Sequence, residues 1–181
     1  MQITFDTEKF RSAKGDHNLT NVLCYLKRHG CIHPDNYPSV EEITCRTPSS
    51  ALRYCKYFAS GGIGPEREVV FLKNPRIAIR YLRLVGKSEF SDPKIQKRFR
   101  RKFRSNAKVA CEWARMFNTR LTEDEESVFR KDMVAALDYA KHVIRGRFSE
   151  KVHGMIVLAS FEDLNNYSKR CLSEYIKLYG N

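Results

Sequence analysis

A small residue followed three positions later by an aromatic ring recurs along this chain. The strong copies are Ala51-Leu52-Arg53-Tyr54, Ala78-Ile79-Arg80-Tyr81, Ala110-Cys111-Glu112-Trp113 and Ala136-Leu137-Asp138-Tyr139. Weaker copies flank them, Val22-Leu23-Cys24-Tyr25 and Leu164-Asn165-Asn166-Tyr167. The rings at 25, 54, 81, 113, 139 and 167 are separated by 29, 27, 32, 26 and 28 residues. The residue after each ring is apolar or small, and four after it stands Phe58, Val85, Phe117, Val143 or Cys171, with His29 as the exception. These positions share one helical face. A small residue lets a neighbouring helix come close, and the ring fills the adjoining space.

Stop and start signals keep the same phase. Gly30, Gly61-Gly62, Gly86 and Gly146 follow the helices, where a left-handed cap is needed, and Asn118 stands in for glycine in the fourth unit. Ser39 with Glu42 and Thr122 with Glu125 have capping-box spacing. Gly64-Pro65 and Asp92-Pro93 place proline in a first helical turn, and Ser149-Glu150 opens a helix more loosely. Thr47-Pro48, Asn74-Pro75, Ser105-Asn106, Asp132 and Ser160 punctuate each return. Each unit is therefore helix A, loop, helix B and joint. Two helices of roughly 8–11 residues are marginal alone, and stacking them buries a continuous core. The expectation is one all-α domain, residues 1–181: an extension at 1–18, then about six units stacked as a short α-solenoid at 19–181.

The string Tyr139-Ala140-Lys141-His142-Val143-Ile144-Arg145-Gly146-Arg147-Phe148-Ser149-Glu150 resembles a short helical repeat found in tandem in tailed-bacteriophage proteins of uncharacterised role. There a Y-A-x-x-V-I-x-G-R-aromatic-x-E string recurs with a D/N-P joint, matched here by Asn74-Pro75. Units one, three and six depart from it: His29 replaces the aliphatic, Lys87-Ser88-Glu89-Phe90 replaces G-R-aromatic, and the last unit ends without a second helix. The resemblance covers about residues 20–178, closely in one unit. It implies a phage origin and a repeat scaffold, and supplies no catalytic residues.

Hydrophobic residues make up 42% of the 181, enough for a packed core. No stretch approaches the ~18 apolar residues that span a bilayer. The start, Met1-Gln2-Ile3-Thr4-Phe5-Asp6, lacks the basic-then-apolar layout of a signal peptide. A cytoplasmic location follows as the expectation, the host cytoplasm if the chain is phage-encoded, with the six cysteines kept as thiols.

The net charge of +12 is unevenly spread. Residues 76–108 hold 12 basic and 2 acidic side chains, while residues 109–181 hold 11 of each. Between 94 and 108 the basic residues are Lys94, Lys97, Arg98, Arg100, Arg101, Lys102, Arg104 and Lys108, with no acid among them. Ile95, Phe99 and Phe103 form an apolar stripe at i, i+4, i+8 that docks this segment as helix B of the third unit. Like charges on one short helix repel, so an acidic partner outside the helix is expected, with phosphate backbones the commonest. Arg76, Arg80 and Arg83 would extend the same surface. The opposing reading is a solvated face, or one neutralised by Glu123-Asp124-Glu125-Glu126. That acidic run sits where a helix N-terminus favours it.

Cys24, His29, Cys31, His33 and Cys45 are residue types that bind zinc, but their spacing matches no structural site. Gly61-Gly62-Ile63-Gly64 lacks the Lys-Ser/Thr of a phosphate loop and suits a wide turn. No cofactor and no catalytic set is expected. The function expected is a non-enzymatic repeat protein binding nucleic acid, or another acidic macromolecule, through residues 94–108. The alternatives are a protein-interaction scaffold that inhibits a host defence or metabolic protein, and a small nuclease.

Overall fold

The computed structural model describes residues 27–30, 37–158 and 163–180. The expected extension at 1–18, the first unit's Cys24 and Tyr25, Cys31, His33 and Ser160 lie outside these residues. The described elements are all helical, with no strand among the described residues. Contacts cluster in two compact units, Met1–Gln96 and Lys97–Asn181. The first holds α1 (Tyr37–Thr44), α2 (Pro48–Tyr57), α3 (Pro65–Glu68) with the 3₁₀ turn Val69–Lys73, and α4 (Pro75–Leu84). Helix α5 (Pro93–Arg101) begins in the first unit and ends in the second. The second continues through the 3₁₀ turn Phe103–Ser105, α6 (Ala107–Phe117), α7 (Glu123–Glu126) with the 3₁₀ turn Ser127–Lys131, and α8 (Met133–Tyr139). A π turn at Ala140–Ile144, α9 (Glu150–Val157) and α10 (Asn166–Tyr179) complete it.

The punctuation explains these boundaries. Thr47, Asn74, Asn106 and Asp132 each accept the N–H three residues on, capping α2, α4, α6 and α8. Thr122 and Glu125 form the expected capping box. Helix α1 begins at Tyr37, before Ser39, so Ser39 and Glu42 do not open it. Gly30, Gly62, Gly86 and Asn118 are left-handed as expected, but in the fifth unit Arg145, not Gly146, takes the positive φ. Helix B is shorter than the expected 8–11 residues in two units. There a four-residue α turn tightens into a 3₁₀ turn at Glu68 and at Glu126.

Ala51, Ala78, Ala110 and Ala136 are buried, as are Tyr54, Tyr81, Trp113 and Tyr139. Helix α2 packs on α4, α6 on α8, and α8 on α10. The last ring differs from expectation: Tyr167 is 64% exposed and Tyr175 is 1% exposed. Asn165 caps α10, which puts Tyr167 in the first turn and leaves Cys171, Leu172 and Tyr175 as the inward face.

A polar side chain lies 13 residues before each inner ring and meets it. Tyr81 donates to Glu68 Oε1 at 2.8 Å and Tyr139 to Glu126 Oε1 at 3.1 Å, both fully inside. Tyr54 makes a longer contact to Glu41 Oε2, 3.4 Å. The phenol oxygens accept in turn, Tyr81 from Ile63 N–H and Tyr139 from Leu121 N–H. Each buried carboxylate also receives a backbone N–H from just before the next helix, Ser91 to Glu68 Oε2 at 2.9 Å and Ser149 to Glu126 Oε2 at 3.4 Å. At Gly62 an added Cβ would lie 2.8 Å from Tyr81 Oη, so the loop closes over the phenol only with glycine there. In the last unit His153 Nδ1 meets Tyr175 Oη at 2.8 Å.

Removing the Tyr139 hydroxyl takes one hydrogen bond from Glu126, whose Oε1 keeps Arg120 Nε at 3.0 Å, and leaves the buried Leu121 N–H without its acceptor. Tyr139→Phe should lower unfolding free energy by about 1–3 kcal/mol, measured by urea denaturation. Tyr167→Phe, on an exposed ring, should stay within about 0.5 kcal/mol of wild type.

Candidate functional site

The third copy of this contact is built from different residues. Arg100 stands where the other copies have glutamate, and Trp113 where they have tyrosine. The Arg100 guanidinium lies 4.3 Å over the Trp113 ring and 5.0 Å over Phe103. An arginine cannot accept the N–H that opens the next helix. Glu125 does so instead, taking Thr122 N–H at 3.1 Å through the capping box. The same Glu125 oxygen receives Arg100 Nη2 at 2.6 Å. The acceptor has thus moved from one helix B to the next, and the basic side chain is held by it. A tryptophan ring carries no acceptor oxygen. At the sequence position matching Ile63 and Leu121, Phe90 N–H goes to Gln96 Oε1 at 3.2 Å.

Phe99 and Phe103 are fully buried and meet edge to face at 5.2 Å, and Ile95 is buried too. The apolar stripe therefore docks α5 as expected. The opposite face carries Lys94, Lys97, Arg98 and Arg101, at i, i+3, i+4 and i+7, all exposed. Lys102 and Lys108 are exposed as well. Of the basic residues from Lys97 onward, Arg100 is turned inward and only 23% exposed, and Arg104 reaches Asp124 at 3.5 Å. Lys97, Arg98, Arg101, Lys102 and Lys108 have no ion-pair partner among the described residues. The acidic run pairs Arg100 and Arg104 here and Arg120 beyond this segment, and leaves this set open. In the first unit, Arg76, Arg80 and Arg83 lie on the exposed face of α4, opposite buried Ala78, Ile79, Tyr81 and Leu82.

Among the described residues no group of three or more His, Cys, Asp or Glu is placed to hold a metal ion. His29 and Cys45 are described, whereas Cys24, Cys31 and His33 are not. Cys45, Cys55, Cys111 and Cys171 are free thiols. Burial, then Glu41, pushes the Cys45 thiol from 9.0 up to about 12. Burial, then Cys45, lifts Cys55 to about 12. Cys111 is raised by burial and by donating to Asp138 Oδ2 at 3.1 Å. None of these three is a thiolate nucleophile at neutral pH. No helix among the described residues is long and apolar enough to cross a membrane.

Comparison with protein-family models, with curated proteins and with solved structures finds no match to this chain.

Trp113 is the sole tryptophan, so its emission reports on the Arg100 contact. Arg100→Ala should shift that emission and destabilise the fold by about 2 kcal/mol, through lost ring stacking and an unpaired Glu125. Arg101→Ala should leave the emission unchanged and stability within about 0.5 kcal/mol. The raised thiols stabilise fully below their unfolded value of 9.0, and this is lost as pH rises toward about 12, where only the unfolded chain ionises early. Urea midpoints should fall between about pH 9 and 11 more steeply for wild type than for Cys45→Ala/Cys55→Ala.

Proposed function

We propose that this chain is a non-enzymatic helical-repeat scaffold, a short α-solenoid of the kind its Tyr139–Glu150 string resembles in tailed phages. Its partner is nucleic acid, bound through the cationic face of α5. One observation carries the reading. The fold consumes Arg100 and Arg104 in pairs with Glu125 and Asp124, yet leaves Lys97, Arg98, Arg101 and Lys102 exposed and without acidic partners among the described residues. Clustered like charge on one helix costs stability unless something outside uses it. A phosphate backbone presents dense negative charge and releases counterions when neutralised. The aromatic side chains beside this face support phosphate contact over base stacking. Phe99, Phe103 and Trp113 are buried in the core and offer bases no ring to stack on. Free thiols at the described cysteines fit a reducing compartment.

The test is binding to a labelled 20-base-pair duplex across a salt series. Affinity should fall linearly in log–log form with salt, and equally for unrelated sequences. Lys97→Gln/Arg98→Gln/Arg101→Gln removes three phosphate contacts and should reduce the slope by about 2.7, with the circular dichroism of the wild type retained. A triple variant that binds with the wild-type slope contradicts the proposal. A partner from nuclease-treated lysate lost in the same variant would instead place an acidic protein on this face.

A further inference from the structure

A second feature of the Lys97–Asn181 unit lies outside the cationic face of α5. A half-open groove of about 260 Å³ runs between Arg104, α7 with its 3₁₀ turn, and α9. Arg104, Arg130, Lys131 and Lys151 line it, against two carboxylates, Glu123 and Asp124. Its floor is apolar, with Val128 and Val152 buried beneath the charges. Arg104 contacts Asp124 loosely, at 3.5 Å with both side chains largely exposed. Arg130, Lys131 and Lys151 are exposed and have no ion pair among the described residues. Four cations against two carboxylates leave this one concave place a net positive charge of two.

Lys151 sharpens the point. It is the second residue of α9, where the helix dipole disfavours a positive side chain. It is exposed and makes no ion pair among the described residues that would offset this. An anion held between Lys151 on one wall and Arg130 and Lys131 on the other would offset both repulsions. The apolar floor gives that anion nothing to donate or accept, so recognition comes from the cationic walls.

We infer that this groove is a second phosphate subsite, which takes a phosphodiester of the same nucleic-acid backbone that α5 contacts. It rests on the reading proposed above. Arg104 joins the two parts, because it follows α5 directly in the chain and also lines the groove. The protein then grips the backbone in two places by charge.

The experiment uses the full chain and the duplex salt series, with Arg130→Gln/Lys151→Gln as the groove variant. Both side chains are exposed, and wild-type circular dichroism and urea midpoint check the fold. Losing two phosphate contacts should reduce the salt slope by about 1.8, beyond any change in the α5 variant, and the effects of the two variants should add. A groove variant with the wild-type slope, beside an α5 variant that weakens, overturns the subsite and leaves the α5 reading standing. If the wild-type chain shows no salt-dependent duplex binding, both fall. Inorganic phosphate at matched ionic strength is the second probe. It should compete no better than chloride. Saturable competition by inorganic phosphate that the groove variant abolishes would assign the groove to a small free anion and overturn the backbone assignment.

Discussion

The contact between a buried polar side chain and the ring 13 residues after it is what the described fold depends on. An α turn of four residues cannot hold itself together. Glu68 and Glu126 close such turns because each satisfies three groups at once. Glu68 ties the ring of Tyr81 to the Ser91 N–H just before α5, and Glu126 ties the ring of Tyr139 to the Ser149 N–H that precedes α9. Polar groups this deep are costly when unpaired, so the geometry of both neighbours is fixed together. Stacked rings fill the remaining space, Phe71 on Tyr81 at 4.1 Å and Phe129 on Tyr139 at 4.7 Å.

The third contact obeys the same logic with the charges exchanged. Arg100 over Trp113 replaces carboxylate and phenol, and Glu125 supplies the acceptor that arginine cannot. Among the cations of α5, Arg100 alone turns inward, and buried Glu125 pairs it there. With Arg100 as the buried member, the core is served by one cation and the outer cations keep their field. The long spacing of 32 residues between Tyr81 and Trp113 has the same origin. Helix B here is a nine-residue α-helix followed by a separate 3₁₀ turn, which presents i, i+3, i+4, i+7 cations on its outer face.

Much of this was legible in the sequence. The alanine and ring positions of the inner units, the caps at Thr47, Asn74, Asn106 and Asp132, and the capping box at Thr122 all follow from local chemistry that the fold does not override. Apolar periodicity does not reveal the residues that meet the rings, because Glu41, Glu68 and Glu126 are charged. The available signal was a polar residue at a constant 13 before each ring. That same signal marks Arg100 as belonging to Trp113, whereas composition alone placed it among the partner-binding cations. Spacing alone marks Tyr167 as a core ring, yet it is exposed. Asn165 as a cap puts that ring too early in α10, and the last contact, His153 to Tyr175, spans 22 residues. The groove cations were invisible, since residues 104, 130, 131 and 151 converge only in three dimensions.

The most direct measurement is an amide chemical-shift titration of the labelled chain with a short duplex. Shifts are expected in Lys97, Arg98 and Arg101 of α5 and in Lys102 just after it, with the Trp113 indole unmoved because Arg100 stays in the core. Shifts centred on α10, or an indole that moves while the α5 amides do not, would contradict binding through α5.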